Sequence, residues 1–311
     1  MHYREAILAN QHTIARQAGI SGIGLHTGVT VNVNLVPAPV NTGIVFRRTD
    51  LEGFRIEARA RHVAHVSYAT SLMKKGVLIS TTEHLLSALA ASGVDNVYID
   101  LDNLEVPIVD GSALPFLGII AKAGSRRQRA KRSYAKVLRP VEITEGAKRI
   151  AVYPSPRLSI SYRIVFAHPA IGDLSFEFSP ARDDYKKEIA PARTFGFLDE
   201  VEMLKKNGLI KGGSLENAVV LSREGVLNPE GLRFPDEFCR HKVLDVIGDL
   251  ALLGRPLIAL VEAERAGHAM HVALVERLLS EKDAFELVDS EDTEDLPPGL
   301  EAEAIATSPA V

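Results

Sequence analysis

The sequence predicts an α+β fold in two related halves. Strand-patterned runs precede apolar helical runs, and the order of strands, helix, strand, helix occurs twice along the chain. In the first half, Val29-Thr30-Val31-Asn32-Val33-Asn34-Leu35 alternates as a strand does when its sheet has one wet or domain-facing side. It predicts a strand over residues 29–36, and a second follows over 43–48. The β-rich run Val77-Leu78-Ile79 then gives way to Ser80-Thr81-Thr82, good N-cap residues, so a helix begins at Glu83. A strand over 94–101 and a helix over 112–123 complete this half. The second half has strands over 137–143, 149–154 and 158–166, then an insert. A helix over 236–253, an apolar strand run over 257–261 and a helix over 271–281 close it.

The helix over 236–253 carries the strongest chemical signal. From Val243 to Leu253 everything but Gly248, Asp245 and Asp249 is apolar, so this helix is buried nearly all round. His241, Asp245 and Asp249 stand at i, i+4 and i+8 and share one stripe. A buried carboxylate needs a charge partner or a metal, and His and Asp one turn apart can hold one ion jointly. A solvated stripe with a surface ion pair accounts for the spacing equally well, so a metal requires a third ligand elsewhere. His84 is the candidate, in Ile79-Ser80-Thr81-Thr82-Glu83-His84. Glu83 and His84 diverge by about 100° in a first helical turn and can approach one site from different sides. His2Asp with an open fourth position and a nearby glutamate is the layout of a hydrolytic zinc site. An isolated Glu-His pair is common on solvated helices; its weight comes from the partner helix. His268, in Ala266-Gly267-His268-Ala269 after the apolar run, has small neighbours and titrates in the range of a general acid, although a lone histidine is more often structural.

Ordered motifs extend this reading over residues 10–290. They include Gly22-Ile23-Gly24-Leu25-His26-Thr27-Gly28, Ser80 to Leu89, Glu105-Val106-Pro107-Ile108-Val109-Asp110-Gly111, Ala192-Arg193-Thr194-Phe195-Gly196-Phe197 and Phe238 to Leu250. Together they resemble the zinc-dependent UDP-3-O-acyl-N-acetylglucosamine deacetylases of lipid A biosynthesis. The resemblance implies two similar two-layer α/β-sandwich domains with helices packed between outer sheets. It implies zinc on His84, His241 and Asp245, with Glu83 as base, His268 as acid and Asp249 orienting and charging His268. Thr194 would hydrogen-bond the oxyanion and Lys242 would bind substrate beside the metal. Phe195, Val201, Ile210 and Gly213 would belong to an acyl-chain passage over 194–218, with Lys148 and Phe166 near the nucleotide. The substrate would be acylated UDP-N-acetylglucosamine, and the products the free amine and acetate. The chain departs from the family pattern at Met270-His271-Val272, where a more polar, Asn-containing run is usual, and at Tyr68-Ala69. Another zinc-dependent amidase acting on an N-acetyl sugar would share the triad but lack an apolar passage. A non-catalytic zinc protein would close its site with a fourth ligand.

Composition bounds the rest. A chain of 311 residues, 46% hydrophobic, suits about two domains with substantial cores. The expected division is an N-terminal domain over 1–124 carrying Glu83 and His84, a basic linker over 125–136, a C-terminal domain over 137–288 carrying His241, Asp245, His268 and the insert, and an acidic flexible tail over 289–311. Arg126, Arg127, Arg129, Lys131 and Arg132 concentrate positive charge without interleaved aromatics, so no nucleic-acid partner is expected. The single cysteine, Cys239, rules out an internal disulfide and fits a reducing cytoplasm; on its helix it points away from the His241 stripe and packs. Residues 1–17 suggest no signal peptide, and no apolar run of about eighteen residues suggests a membrane span. Gly212-Gly213 is too little for a phosphate loop. A cytoplasmic monomer acting on a small molecule is the expectation.

Overall fold

The computed structural model describes residues 9–290. Its six helices are α1 (Glu83–Ala91), α2 (Leu114–Ala123), α3 (Tyr185–Glu188), α4 (Leu198–Lys206), α5 (Glu237–Leu250) and α6 (His268–Ser280). Two five-stranded sheets share one topology. The first orders Ala18–Ile23, Thr30–Pro37, Val97–Leu101, Ile44–Arg48 and Phe54–Glu57. The second orders Val141–Glu145, Lys148–Tyr153, Leu260–Glu264, Ser159–Val165 and Asp173–Phe178. In each, the last strand in sequence sits at the centre, antiparallel to one neighbour and parallel to the other. The chain is therefore an α+β protein of two similar sandwiches, as the sequence predicts.

Alternation sets which face of each sheet is covered. Val31, Val33 and Leu35 are buried while Thr30 and Asn32 are exposed, so one face of the first sheet enters the core. Helix α6 packs on the outer pair of the second sheet that begins with Val141–Glu145, and α5 on Ser159–Val165 and Asp173–Phe178. The two halves meet chiefly through α1 and α5. Gly248 permits this contact, since a Cβ there would lie 2.1 Å from the Glu83 carbonyl oxygen. Among the described residues no helix is long and apolar enough to cross a membrane.

Several boundaries differ from expectation for local reasons. Helix α2 starts at Leu114 because Ser112 is drawn into a turn: its backbone and hydroxyl both donate to Asp110 Oδ1, at 3.0 and 2.8 Å. The strand expected from residue 94 starts at Val97, because the amides of Asp95 and Asn96 donate to the His12 carbonyl instead. The strand expected over 137–143 is two strands, Ser133–Val137 and Val141–Glu145, parted at Pro140, which has no N–H for a ladder. Helix α5 runs into a tight turn over Ala251–Leu253 and ends at Gly254, left-handed at φ 77°. Helix α6 begins at His268, three residues early. The basic stretch expected as a linker carries regular structure: Ser125–Lys131 pairs antiparallel with Asn10–Ile14, its arginines turned mostly outward. Of the expected acidic tail, residues 289 and 290 are described and 291–311 lie outside the described residues.

Candidate metal centre

The site forms where the first turn of α1 meets the middle of α5. Thr81, which leads the chain into α1, holds φ at 59°, a region that β-branched residues rarely enter. Glu105 fixes it there, accepting the Thr81 hydroxyl at 3.1 Å as well as the amides of His26 and Thr27 at 2.9 Å. Thr82 caps nothing with its side chain; its hydroxyl donates to the Thr70 carbonyl at 3.0 Å. Glu83 and His84 thereby enter the interior, both buried.

His84, His241 and Asp245 offer three ligand atoms within 4.8 Å of one another. Asp245 Oδ1 lies 3.4 Å from His241 Nε2 and 3.8 Å from His84 Nε2, and the two imidazoles meet edge to face. His241 Nδ1 donates to the Ala192 carbonyl at 3.0 Å, which leaves the Nε2 lone pair facing the site. Burial, with the neighbouring His241, lowers His84 to about 3, and burial lowers His241 as well. Burial pushes Asp245 up, but Lys242 and the histidines outweigh it and hold the carboxyl well below its ordinary range. Two neutral imidazoles and one carboxylate is the state in which ligands bind a metal. Asp245 Oδ1 and His84 Nδ1 are buried without a hydrogen-bond partner among the described residues. This donor set fits a divalent cation of borderline softness.

Asp249, His268 and His271 also cluster within 4.8 Å, but their atoms serve one another. Asp249 Oδ2 accepts from His268 Nδ1 at 2.7 Å and faces His271 Nδ1 at 2.9 Å, while Oδ1 accepts the Thr70 hydroxyl at 2.6 Å. That is a hydrogen-bonded network. His268 Nε2 points the other way, 4.0 Å from Glu83 Oε1 and 3.9 Å from Asp245 Oδ2. Burial works against its charge, but Asp249 and Asp245 prevail and raise it to about 9. Burial raises Glu83 to about 7, with Asp249 and Asp245 adding to the shift against His268. A carboxyl and an imidazole pushed in these directions across one cleft can exchange protons with a reactant near neutral pH.

A cavity of about 340 Å³ joins these groups to Thr194, Lys242, Phe195 and Lys148. Lys242 Nζ donates to Asp245 Oδ2 at 2.8 Å and lies 5.5 Å from the Phe195 ring centre. Backbone bonds hold Thr194 in place, its amide donating to the Gly111 carbonyl and its carbonyl accepting from Val219, both at 2.8 Å. Phe166 stands behind this wall, with ring centres 6.0 Å from Phe195 and 5.7 Å from Phe197. Val201, Ile210 and Gly213 lie outside the cavity wall. Val201 backs the strand Phe195–Phe197 at Gly196. Gly212 and Gly213 let the insert approach the first half, the Gly212 amide donating to the Leu25 carbonyl at 3.0 Å. A Cβ at Gly213 would come within 2.3 Å of Ile210 Cγ2 and 3.6 Å of Leu25 Cδ1, and Leu25 lines the cavity. Cys239 is buried with its Sγ 3.3 Å from the Tyr162 carbonyl, away from the ligands. Sequence reasoning missed Thr70, Glu105, Tyr162 and the inward aim of His271. Only His271, one helical turn after His268, carried a usable spacing signal.

Comparison with known proteins places the chain in a family of deacetylases. The family model for UDP-3-O-acyl N-acetylglycosamine deacetylase matches residues 11–280. A UDP-3-O-acyl-N-acetylglucosamine deacetylase of Solibacter usitatus is 53% identical over 276 residues, covering 89% of this chain and 93% of that protein. The proteins of the same name from Myxococcus xanthus and Neisseria meningitidis are 46% identical over 280 residues and 44% over 294. They cover 90% and 92% of this chain, and 89% and 95% of their own lengths.

Proposed function

Because the chain belongs to the UDP-3-O-acyl N-acetylglycosamine deacetylase family, and is a hydrolase, we propose that it is a zinc enzyme acting on UDP-3-O-(3-hydroxyacyl)-N-acetylglucosamine. The reaction is hydrolysis of the N-acetyl group to acetate and the free 2-amino sugar nucleotide, the committed step of lipid A biosynthesis. The observation that carries this reading is the orphaned Asp245 Oδ1 between His84 and His241, with Glu83 and His268 facing it across the cleft. His84, His241 and Asp245 would hold the ion. Zinc, when bound there, supplies Lewis acidity toward the amide carbonyl and makes water more acidic.

The chain's own groups do the rest. Glu83 takes a proton from the attacking water as its oxygen adds to the acetyl carbon. The Thr194 hydroxyl donates to the developing oxyanion. His268 Nε2 then gives its proton to the sugar nitrogen as the C–N bond breaks, and Asp249, accepting from Nδ1, keeps that imidazole charged until then. Lys242 binds substrate beside the ligands, and Lys148 and Phe166 serve the nucleotide. Phe195, Val201, Ile210 and Gly213 guide the acyl chain, with Leu25 connecting their insert to the cavity. The domains would span 1–124 and 137–288, joined through 125–136 and followed by a tail over 289–311, in a cytoplasmic monomer.

The test is deacetylation of UDP-N-acetylglucosamine with and without its 3-O-acyl chain, before and after chelation. Acyl-dependent activity, lost to a chelator and restored by zinc, is expected. Equal kcat/KM on both substrates would assign the site to a general N-acetyl sugar amidase.

A further inference from the structure

Asp249 serves a second histidine that no step of the reaction uses. His271, one turn along α6 from His268, is fully buried, and its Nδ1 stands 2.9 Å from Asp249 Oδ2. His268 Nδ1 reaches that same oxygen at 2.7 Å. The far nitrogen of His271, Nε2, lies 2.9 Å from the hydroxyl of Tyr162, itself fully buried and 2.8 Å from the Ala266 carbonyl. On its other oxygen, Asp249 accepts the Thr70 hydroxyl at 2.6 Å. An ionised carboxylate only accepts, so each nitrogen facing it carries a proton and His271 donates from Nδ1. Burial disfavours the Asp249 charge, yet its histidine partners outweigh burial and hold the carboxyl at about 2.

Three donors therefore hold one fully buried carboxylate, whose terminal sp² torsion would otherwise swing broadly. Thr70 holds one oxygen from the first half of the chain, and His271 braces the other from within α6. We propose that His271, anchored by Tyr162, is a positioning residue: it fixes the Asp249 carboxylate so that His268 Nε2 is aimed into the cleft between Glu83 and Asp245. The inference rests on His268 being the acid. A small swing of Asp249 would carry His268 with it, and displacements of this kind are costly at a reacting centre.

The test uses the full-length, zinc-loaded enzyme and the acylated substrate. His271→Leu should lower kcat roughly 10- to 100-fold, as loss of an orienting partner does, with KM and zinc content unchanged. His271→Asn, whose amide can donate to the same oxygen, should restore most of that loss. In a His268→Ala background, His271→Leu should lower kcat no further. Equal factors in both backgrounds, or a His271→Asn enzyme as slow as His271→Leu, would make His271 a packing residue and overturn the proposal. Should His271→Leu not fold, Tyr162→Phe keeps the ring and removes the hydroxyl that meets both His271 Nε2 and the Ala266 carbonyl. The same non-additivity with His268→Ala is then expected, and additive losses overturn the proposal. A His268→Ala enzyme with intact kcat would overturn the assignment of the acid itself, which the His271 variants alone cannot do.

Discussion

A buried polar atom left without a partner costs about 1–3 kcal/mol, and more when charged. Asp245 Oδ1 and His84 Nδ1 are such atoms, and a cation between the three side chains relieves the cost at the carboxylate. With only three protein ligands, loss of any one should leave a weakly held ion. His84→Ala, His241→Ala and Asp245→Ala should each lose most bound zinc, while Glu83→Ala stays loaded. Elemental analysis finding full zinc in all three would refute the ligand set. The two proton-carrying groups make a second expectation. Glu83, at about 7, must be ionised to accept, so kcat/KM falls as pH drops through its value. His268, at about 9, must be protonated to donate, so kcat/KM falls as pH rises through its value. A bound cation nearby moves both limbs to lower pH without exchanging them. Asp249→Asn removes an anion beside the imidazolium and should shift the basic limb further down. A basic limb unmoved in Asp249→Asn would assign that limb to another group. The pairing of His241 with Asp245 was legible from i, i+4 spacing on an apolar helix, and its meeting with His84, from another helix, was not. Nor was Thr70, since its partner Asp249 lies 179 residues away and nothing local marks it.

At the scale of elements, the contact of α1 with α5 decides whether those residues meet. A Cβ at Gly248 would sit 2.1 Å from the Glu83 carbonyl oxygen and 3.1 Å from its Cα, backbone that has no rotamer to give. Gly248→Ala should therefore part the helices and cost about 1–3 kcal/mol, as overpacking does. Its zinc affinity should fall as well, although no ligand is changed. Denaturant unfolding with parallel zinc titration checks this; wild-type values in both would mean the helices have room to spare. The helices and alternating strands were legible because their apolar period matches their burial. The strand Ser125–Lys131 was not: apart from Ala130 its residues are polar on both faces, so period 2 leaves no trace in hydropathy. The early start of α6 was hidden for a related reason, since Gly267 marks the N-terminal end and carries no cap side chain.

At the scale of the whole molecule, two sandwiches of one topology place their helices against each other, so the site belongs to neither half alone. His84 comes from the first half and His241 and Asp245 from the second, and an ion on all three would tie the halves together. The unfolded chain scatters these residues over more than 150 positions, so an ion they share would bind the native state far better and stabilise it by mass action. At a zinc concentration about 100 times the dissociation constant, that linkage is worth about 2.7 kcal/mol. Chelation should accordingly lower the midpoint of thermal unfolding, and added zinc should restore it. The decisive comparison sets one ligand variant from each half beside the wild type. If the ion bridges the halves, His84→Ala and Asp245→Ala should each abolish the zinc-dependent shift. If His241 and Asp245 hold it on α5 alone, His84→Ala would keep most of the shift and Asp245→Ala would lose it. That asymmetry would move the centre into the second half and leave His84 a packing residue.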